Sequence, residues 1–379
     1  MKTIRYPLLL PIIIISLVTF SCSDSPPEEV NAKDGFVNNP TWGKYQDSEN
    51  PPVQLVLEDS IKVQFHGDDI LTGFTSLITD SNGNFYFLDR RQNKLISASP
   101  DGSVRWVTGQ KGRGPGDFEY ARNMIIHDDV LLISNLSGSR LDRFDLSGNF
   151  IASQPFDKET SFASLVGITS QDVLVINSFL RGALGSNIYT FDYSQDSLQL
   201  INNFEIDQSG DLEIPKGVSA GIAVQLVDEF IIAGSTVDYS LTTYNLEGKL
   251  IKKITRDFDK IVRPGFYSTE QSRGIRTFGG LGSAKVFPNG YFIVEAFWPT
   301  NVSDPDKIAE DSHGLEIINR NSTDFYDPDG TLLYSITGEG FSPERGTIKH
   351  IDPYGNAYKV KTDPEPTIYS YKLKVPEED

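Results

Sequence analysis

The sequence predicts an all-β fold, a six-bladed β-propeller of four-stranded blades, closed by an N-terminal strand that completes the last blade. Three observations predict it. Five segments align without gaps: "LISASPDG" from Leu95, "LDRFDLSG" from Leu141, "IYTFDYSQ" from Ile188, "LTTYNLEG" from Leu241 and "TDFYDPDG" from Thr323. The first three spacings between them, 46, 47 and 53 residues, lie near the roughly 40–45-residue period of a four-stranded blade. Around these anchors stand six strand–turn–strand pairs, and nowhere is there a sustained helical period.

Each anchor roughly alternates apolar and polar residues, mostly with an aromatic fourth and Asp, Asn or Ser fifth, and all but the third close on glycine. That pattern is a strand entering a tight hairpin, because glycine accepts the positive φ such turns demand. The pairs are "SLITDSNGNFYFLD", "NMIIHDDVLLISN", "LVGITSQDVLVINS", "AVQLVDEFIIAGS", "SAKVFPNGYFIVEA" and "IKHIDPYGNAYKV". Outer strands such as "SVRWVTGQ", "FIASQPF" and "KLIKKITRDF" follow the anchors. The sixth unit ends at "TIYSYKLKV", one strand short, while "VQLVLEDSIKVQF" lies unassigned upstream of the first blade. Placing that strand on the last blade closes the ring and covers an edge that would otherwise be exposed. The propeller therefore runs over residues 53–379.

The N-terminus has a different character. Lys2 and Arg5 lead into an apolar run from Leu8 to Phe20, too short to span a bilayer and laid out like a secretory signal. This assigns 1–21 as signal peptide and 22–52, rich in Pro, Asn, Asp and Glu, as a flexible tether. Cys22 is the chain's single cysteine, so no internal disulfide is available to it. The stretch "TFSCSDSPPEE" resembles the lipobox of bacterial lipoproteins, with Thr19 standing where leucine is usual. The resemblance implies lipidation of Cys22 and an outer-membrane-anchored protein of the cell envelope, touching the membrane only through its anchor. The acidic stretch after the cysteine is loosely similar to a surface-export signal of Bacteroidetes lipoproteins. A free thiol behind an ordinary cleavage site is the competing reading.

The net charge is −18, which repels phosphates and anionic headgroups and argues against nucleic acid as a partner. The stretch "GQKGRGPGDF" from Gly109 has glycines and basic residues suited to phosphate. A Walker loop, however, opens a helix with Gly-Lys-Ser/Thr, and a dinucleotide fingerprint sits in a βαβ unit. Neither context is present, and "GEGFSPERG" from Gly338 echoes the stretch at the joint before blade six. The glycine cluster reads as a connector between blades. Together with "DSNGNFYFLD" and "SPDG" upstream, it resembles the NHL-type repeat of six-bladed propellers, and more closely the six-bladed propeller lipoproteins common in Bacteroidetes. Blade one carries the match, while blades three to five depart from it by degenerate joints and insertions.

The turns within hairpin pairs are short, whereas the loops on the opposite face are long. Long loops on a rigid scaffold are the usual place for binding. Arg181, Arg263, Arg273 and Arg276, Trp298 at the start of the longest insertion, and His313 within it are the candidate ligand-binding residues. Aromatics with arginines suit a glycan, a carboxylate or a partner protein, and the plainer alternative is a blade-packing tryptophan with solvated arginines. The second reading is a metal-dependent hydrolase or lyase akin to lactonase-like or amidating-lyase-like propellers, with calcium or zinc in the central channel near His127 and His350. With four histidines and no nucleophile elbow, the balance favours a binding or scaffolding module, without cofactor, over an enzyme.

Overall fold

The computed structural model describes residues 35–65, 70–156, 160, 163–194, 198–216, 218–268, 273–282, 284–310, 317–339, 347–362 and 365–376. Cys22, the signal peptide and His313 lie outside them. Six sheets form the blades of a propeller ring. Blade one is Phe74–Thr79, Phe85–Asp89, Lys94–Ala98 and Val104–Thr108, and blade two is Met124–His127, Val130–Asn135, Arg140–Asp145 and Phe150–Pro155. Blade three is Ser164–Ile168, Val173–Phe179, Gly185–Asp192 and Gln199–Asp207, and blade four is Ala223–Val227, Phe230–Gly234, Ser240–Tyr244 and Leu250–Arg256. In blade five the innermost strand is broken into Gly280–Leu281 and Lys285–Val286, followed by Phe292–Pro299, Asn319–Tyr326 and Leu332–Glu339. Blade six is His350–Ile351, Asn356–Lys361 and Thr367–Lys374, with Gln54–Lys62 paired antiparallel on its outer edge.

Two blades show why the repeat has its sequence. In blade one the Asp80 carboxylate accepts the amides of Asn82 and Asn84, the Asn84 side chain and, at 2.9 Å, the Tyr86 hydroxyl. Blade six repeats this bond for bond, with Asp352 accepting from Tyr354, Asn356 and Tyr358. Gly83 and Gly355 take the positive φ at the same place in each turn. One aspartate thus satisfies a whole turn and a buried phenol.

The glycine cluster is a joint, as the sequence suggests. Phe118 is fully buried among Leu88, Leu95, Leu131 and Phe144 of blades one and two. The loop folds over it through Gly112 N–H to Phe118 O, Phe118 N–H to Gln110 O, and Gly114 N–H to the Asp117 carboxylate. A side chain at Gly109 would run into the Phe118 ring.

The tether expected over 22–52 needs correction, because from Gly35 onward the chain packs on the propeller. Phe36–Asn39 pairs in parallel with Leu250–Arg256 as a fifth strand on blade four. Asn39, nearly fully buried, donates to Thr255 O and Gly330 O and accepts from the Leu332 amide. Lys44 and Tyr45 donate their amides to Leu332 and Leu333 of blade five. The segment is a strap across two blades. It shows no apolar period because backbone hydrogen bonds and the amide side chains of Asn39 and Gln46 hold it, with Val37 in the core and Tyr45 packed at a core edge.

Candidate functional site

The innermost strands of all six blades surround an axial channel of about 1470 Å³. Counting back from each hairpin turn aligns them. Ile78, Ile125, Gly167, Gln225, Lys285 and His350 each stand two residues before the residue that closes the turn, namely Asp80, His127, Thr169, Val227, Phe287 and Asp352. All six line the channel. They form one layer, apolar or empty on blades one to three and polar on blades four to six.

The polar arc has unusual electrostatics. Lys285 makes no hydrogen bond or ion pair with any described residue, and burial, reinforced by the charge of Lys349, pulls its ammonium below the usual lysine range. Behind it, burial pushes Glu295 up, against the opposing pull of the Ile348 amide at 2.9 Å and of Lys285, Lys359 and Lys349. His350 meets Thr79 Oγ1 of blade one through Nε2 at 2.9 Å and stacks on Tyr358, with ring centroids 6.1 Å apart. Burial drives its pKa down to about 4, with Asp352 raising and Lys285 lowering it, so the imidazole is neutral at pH 7. Gln225 has its side-chain oxygen buried without a donor.

On the long-loop face two aromatic rings stand out of the surface, each with a guanidinium over it. Arg90 lies 5.6 Å from the centroid of Tyr120, and Arg122 lies 5.6 Å from that of Phe179. Tyr120 is 57% exposed and Phe179 41%, and Phe179 also packs on Gly221. Arg122 also donates to Ser164 Oγ at 3.0 Å, and burial together with the charge of Arg90 pulls its guanidinium below the usual value. The channel mouth on the opposite face is acidic, with Asp128, Asp129 and Asp228 exposed at its turns.

The sequence-derived candidates fall in several places. Arg181 is exposed in the loop that follows Phe179. Arg263 is taken up by a bidentate pair with Asp306 of the short helix Pro305–Glu310. Arg273 and Arg276 lie on the second strand of a separate hairpin, Gly265–Ser268 with Arg273–Arg276, and Arg276 covers Phe278. Trp298 requires correction as a ligand-binding residue. It is 6% exposed and packs edge-on against Phe258 in the core between blades four and five. The two histidines are not brought together: His350 turns to blade one, whereas His127 turns to Asp172 of blade three at 3.0 Å. Among the described residues, one group of His, Cys, Asp and Glu side chains is close enough to share a metal ion, formed by His127, Asp128 and Asp172.

Sequence reasoning missed Arg90, Tyr120, Arg122, Phe179, Gln225 and Lys285. The last two carried a signal. In "AVQLV" and "SAKVF" a polar residue occupies the position where "LIT" and "MIIH" carry isoleucine, and alignment on the turns exposes it.

No protein-family model matches the sequence, and no curated protein matches it. Solved structures do. A member of the DUF4221 family from Bacteroides vulgatus superposes with a TM-score of 0.59 at 10% identity, covering 87% of this chain and 100% of that one. The chain is a six-bladed β-propeller of the same fold. A Bacteroides fragilis protein, described as a candidate exported protein, superposes with a TM-score of 0.54 at 10% identity, covering 90% of this chain and 100% of its own. At such identity the propeller shares with both its fold alone, and what it does has to be argued from its own residues.

Proposed function

We propose that this propeller is a binding module of the cell envelope, tethered through Cys22, that takes an anionic glycan or peptide on its long-loop face. The observation that supports this most is the pair of stacked contacts, Arg90 on Tyr120 and Arg122 on Phe179. Exposed aromatic faces offer a sugar ring or an apolar side chain a flat surface, and each such cation–π contact contributes about 0.5–1 kcal/mol where exposed. Two guanidiniums close enough to disturb one another gain from an anion placed between them. In a chain of net charge −18, a cationic patch selects an acidic ligand against the surrounding field. Export is in keeping with the resemblance of the leader to a secretory signal, and no helix among the described residues is long and apolar enough to cross a membrane.

The test is a binding screen of acidic and neutral oligosaccharides and peptides by calorimetry, on the wild type and on Phe179→Ala and Arg122→Ala. Uronic-acid oligosaccharides or acidic peptides are expected to bind, with affinity falling about tenfold in each variant at unchanged melting temperature. Neutral and acidic ligands binding equally, or variants that bind like the wild type, would refute the reading.

A further inference from the structure

The long-loop face does not account for the polar layer of the channel. There Lys285 lines the channel with no hydrogen bond or ion pair among the described residues, and Gln225 has no donor for its buried side-chain oxygen. His350 meets Thr79 through Nε2 and makes no hydrogen bond through Nδ1 among the described residues. Three polar side chains on three successive blades therefore face one level of the channel, each with a bonding group that no described residue takes up. A group so placed is open to a ligand that enters the channel.

Charge sharpens the point. Among the described residues, Glu295 is the carboxylate whose charge acts on Lys285, and the two form no ion pair. The facing side of the layer is apolar, formed by Ile78, Ile125 and the Leu226 side chain that packs over Gly167.

We infer that the Gln225–Lys285–His350 arc is a carboxylate-binding site inside the channel, with the ligand's hydrocarbon part lying against Ile78, Ile125 and Leu226. Lys285 supplies the counter-charge, and the Gln225 amide and the His350 imidazole supply flanking hydrogen bonds. A neutral imidazole suits this role, since its ring N–H donates without adding a third charge beside Lys285 and Lys349. The ligand class is a small monocarboxylate with a short apolar chain, or a larger molecule that ends in one. The site is separate from the long-loop face and does not depend on its chemistry.

The experiment titrates the full-length protein with butyrate, butyramide and inorganic phosphate by calorimetry, and repeats the butyrate titration on three variants. Butyrate is expected to bind, and butyramide and phosphate to bind at least tenfold more weakly. Lys285→Met, which keeps the stem and removes the charge, is expected to weaken butyrate at least tenfold with melting temperature unchanged or raised. Gln225→Leu is expected to weaken it severalfold, and Phe179→Ala on the long-loop face to leave it unchanged. Butyrate that does not bind, or that binds Lys285→Met as tightly as the wild type, overturns the inference. Phosphate binding as tightly as butyrate overturns the carboxylate assignment, and a loss in Phe179→Ala moves the site to the long-loop face. Failure of acidic glycans with butyrate binding intact refutes the proposed function alone.

Discussion

The guanidinium of Arg256 meets the Asp324 carboxylate at 2.9 Å with neither side chain exposed to solvent, joining the outer strand of blade four to the third strand of blade five. The same carboxylate accepts the hydroxyls of Tyr239, Ser322 and Ser335, and Arg256 also donates twice to Thr41 O of the N-terminal strap. One buried charge pair therefore fastens the strap, two blades and the Tyr239–Tyr326 hydroxyl pair. Blade two has a related carboxylate at the corresponding position, Asp142, which pairs with Arg140 of its own strand and accepts from Ser153.

Breaking such a pair on one side strands the other charge in a medium that cannot solvate it, at a cost of about 3–5 kcal/mol. Arg256→Met is expected to lose that much in denaturant unfolding. Asp324→Asn introduced on top of it should recover part of the loss, because no charge is then left uncompensated and the amide oxygen still accepts from the surrounding hydroxyls. Equal stabilities for Arg256→Met and wild type would show that water reaches the site.

The turn aspartates give a second expectation. Asp352→Ala leaves the Tyr358 hydroxyl and the amides of Tyr354 and Asn356 without their acceptor. An orphaned buried donor costs about 1–3 kcal/mol, and the exposed amides recover water, so a loss of about 2–3 kcal/mol is expected. Tyr358→Phe, which removes the donor instead, should cost less, and a larger loss for Tyr358→Phe would contradict the account.

These two networks mark the boundary of what the sequence could reveal. The turn aspartates recur within a repeat, Asp80 with Tyr86 and Asp352 with Tyr358, so the hairpins and blade order were legible from spacing alone. Arg256 and Asp324 are far apart in the chain and come together only when blade five packs on blade four, which no local pattern encodes. The same holds at the channel. Gln225, Lys285 and His350 are unremarkable in their own strands and acquire meaning as one layer of a closed ring. Trp298 looked like a loop aromatic because the insertion begins beside it, yet its strand position turns it to the core.

His350 predicts a pH dependence with a definite sign. Its folded pKa of about 4 lies below the unfolded 6.5, so between these values the unfolded state binds the extra proton. Stability attributable to His350 is therefore complete above pH 6.5 and lost as pH falls towards 4, by up to about 3 kcal/mol. Glu295, raised above 4.5 by burial, acts in the opposite sense in the same window. The comparison that isolates the histidine is the unfolding free energy of wild type against His350→Gln at pH 7 and pH 4.5. The gap should close or reverse at the lower pH, and a gap independent of pH would rule out a buried neutral imidazole.

The last expectation separates the binding module from the metalloenzyme. His127, Asp128 and Asp172 sit at the acidic mouth, on the side of the channel away from Arg122 and Phe179. The hydrogen bond from His127 to Asp172 and the edge-on contact with Tyr193 already give the imidazole a structural place between blades two and three. Ions that bind the folded state alone raise stability by RT ln(1 + [L]/Kd), about 2.7 kcal/mol at a hundredfold excess over Kd. The binding reading expects chelation to leave the melting temperature of purified protein unchanged, and zinc or calcium to shift it by less than a degree. A chelator-induced fall that either ion restores, and that Asp172→Ala abolishes, would instead place the chemistry at this mouth. Two protein carboxylates and one imidazole would then leave a coordination position open to water, the arrangement a hydrolase requires.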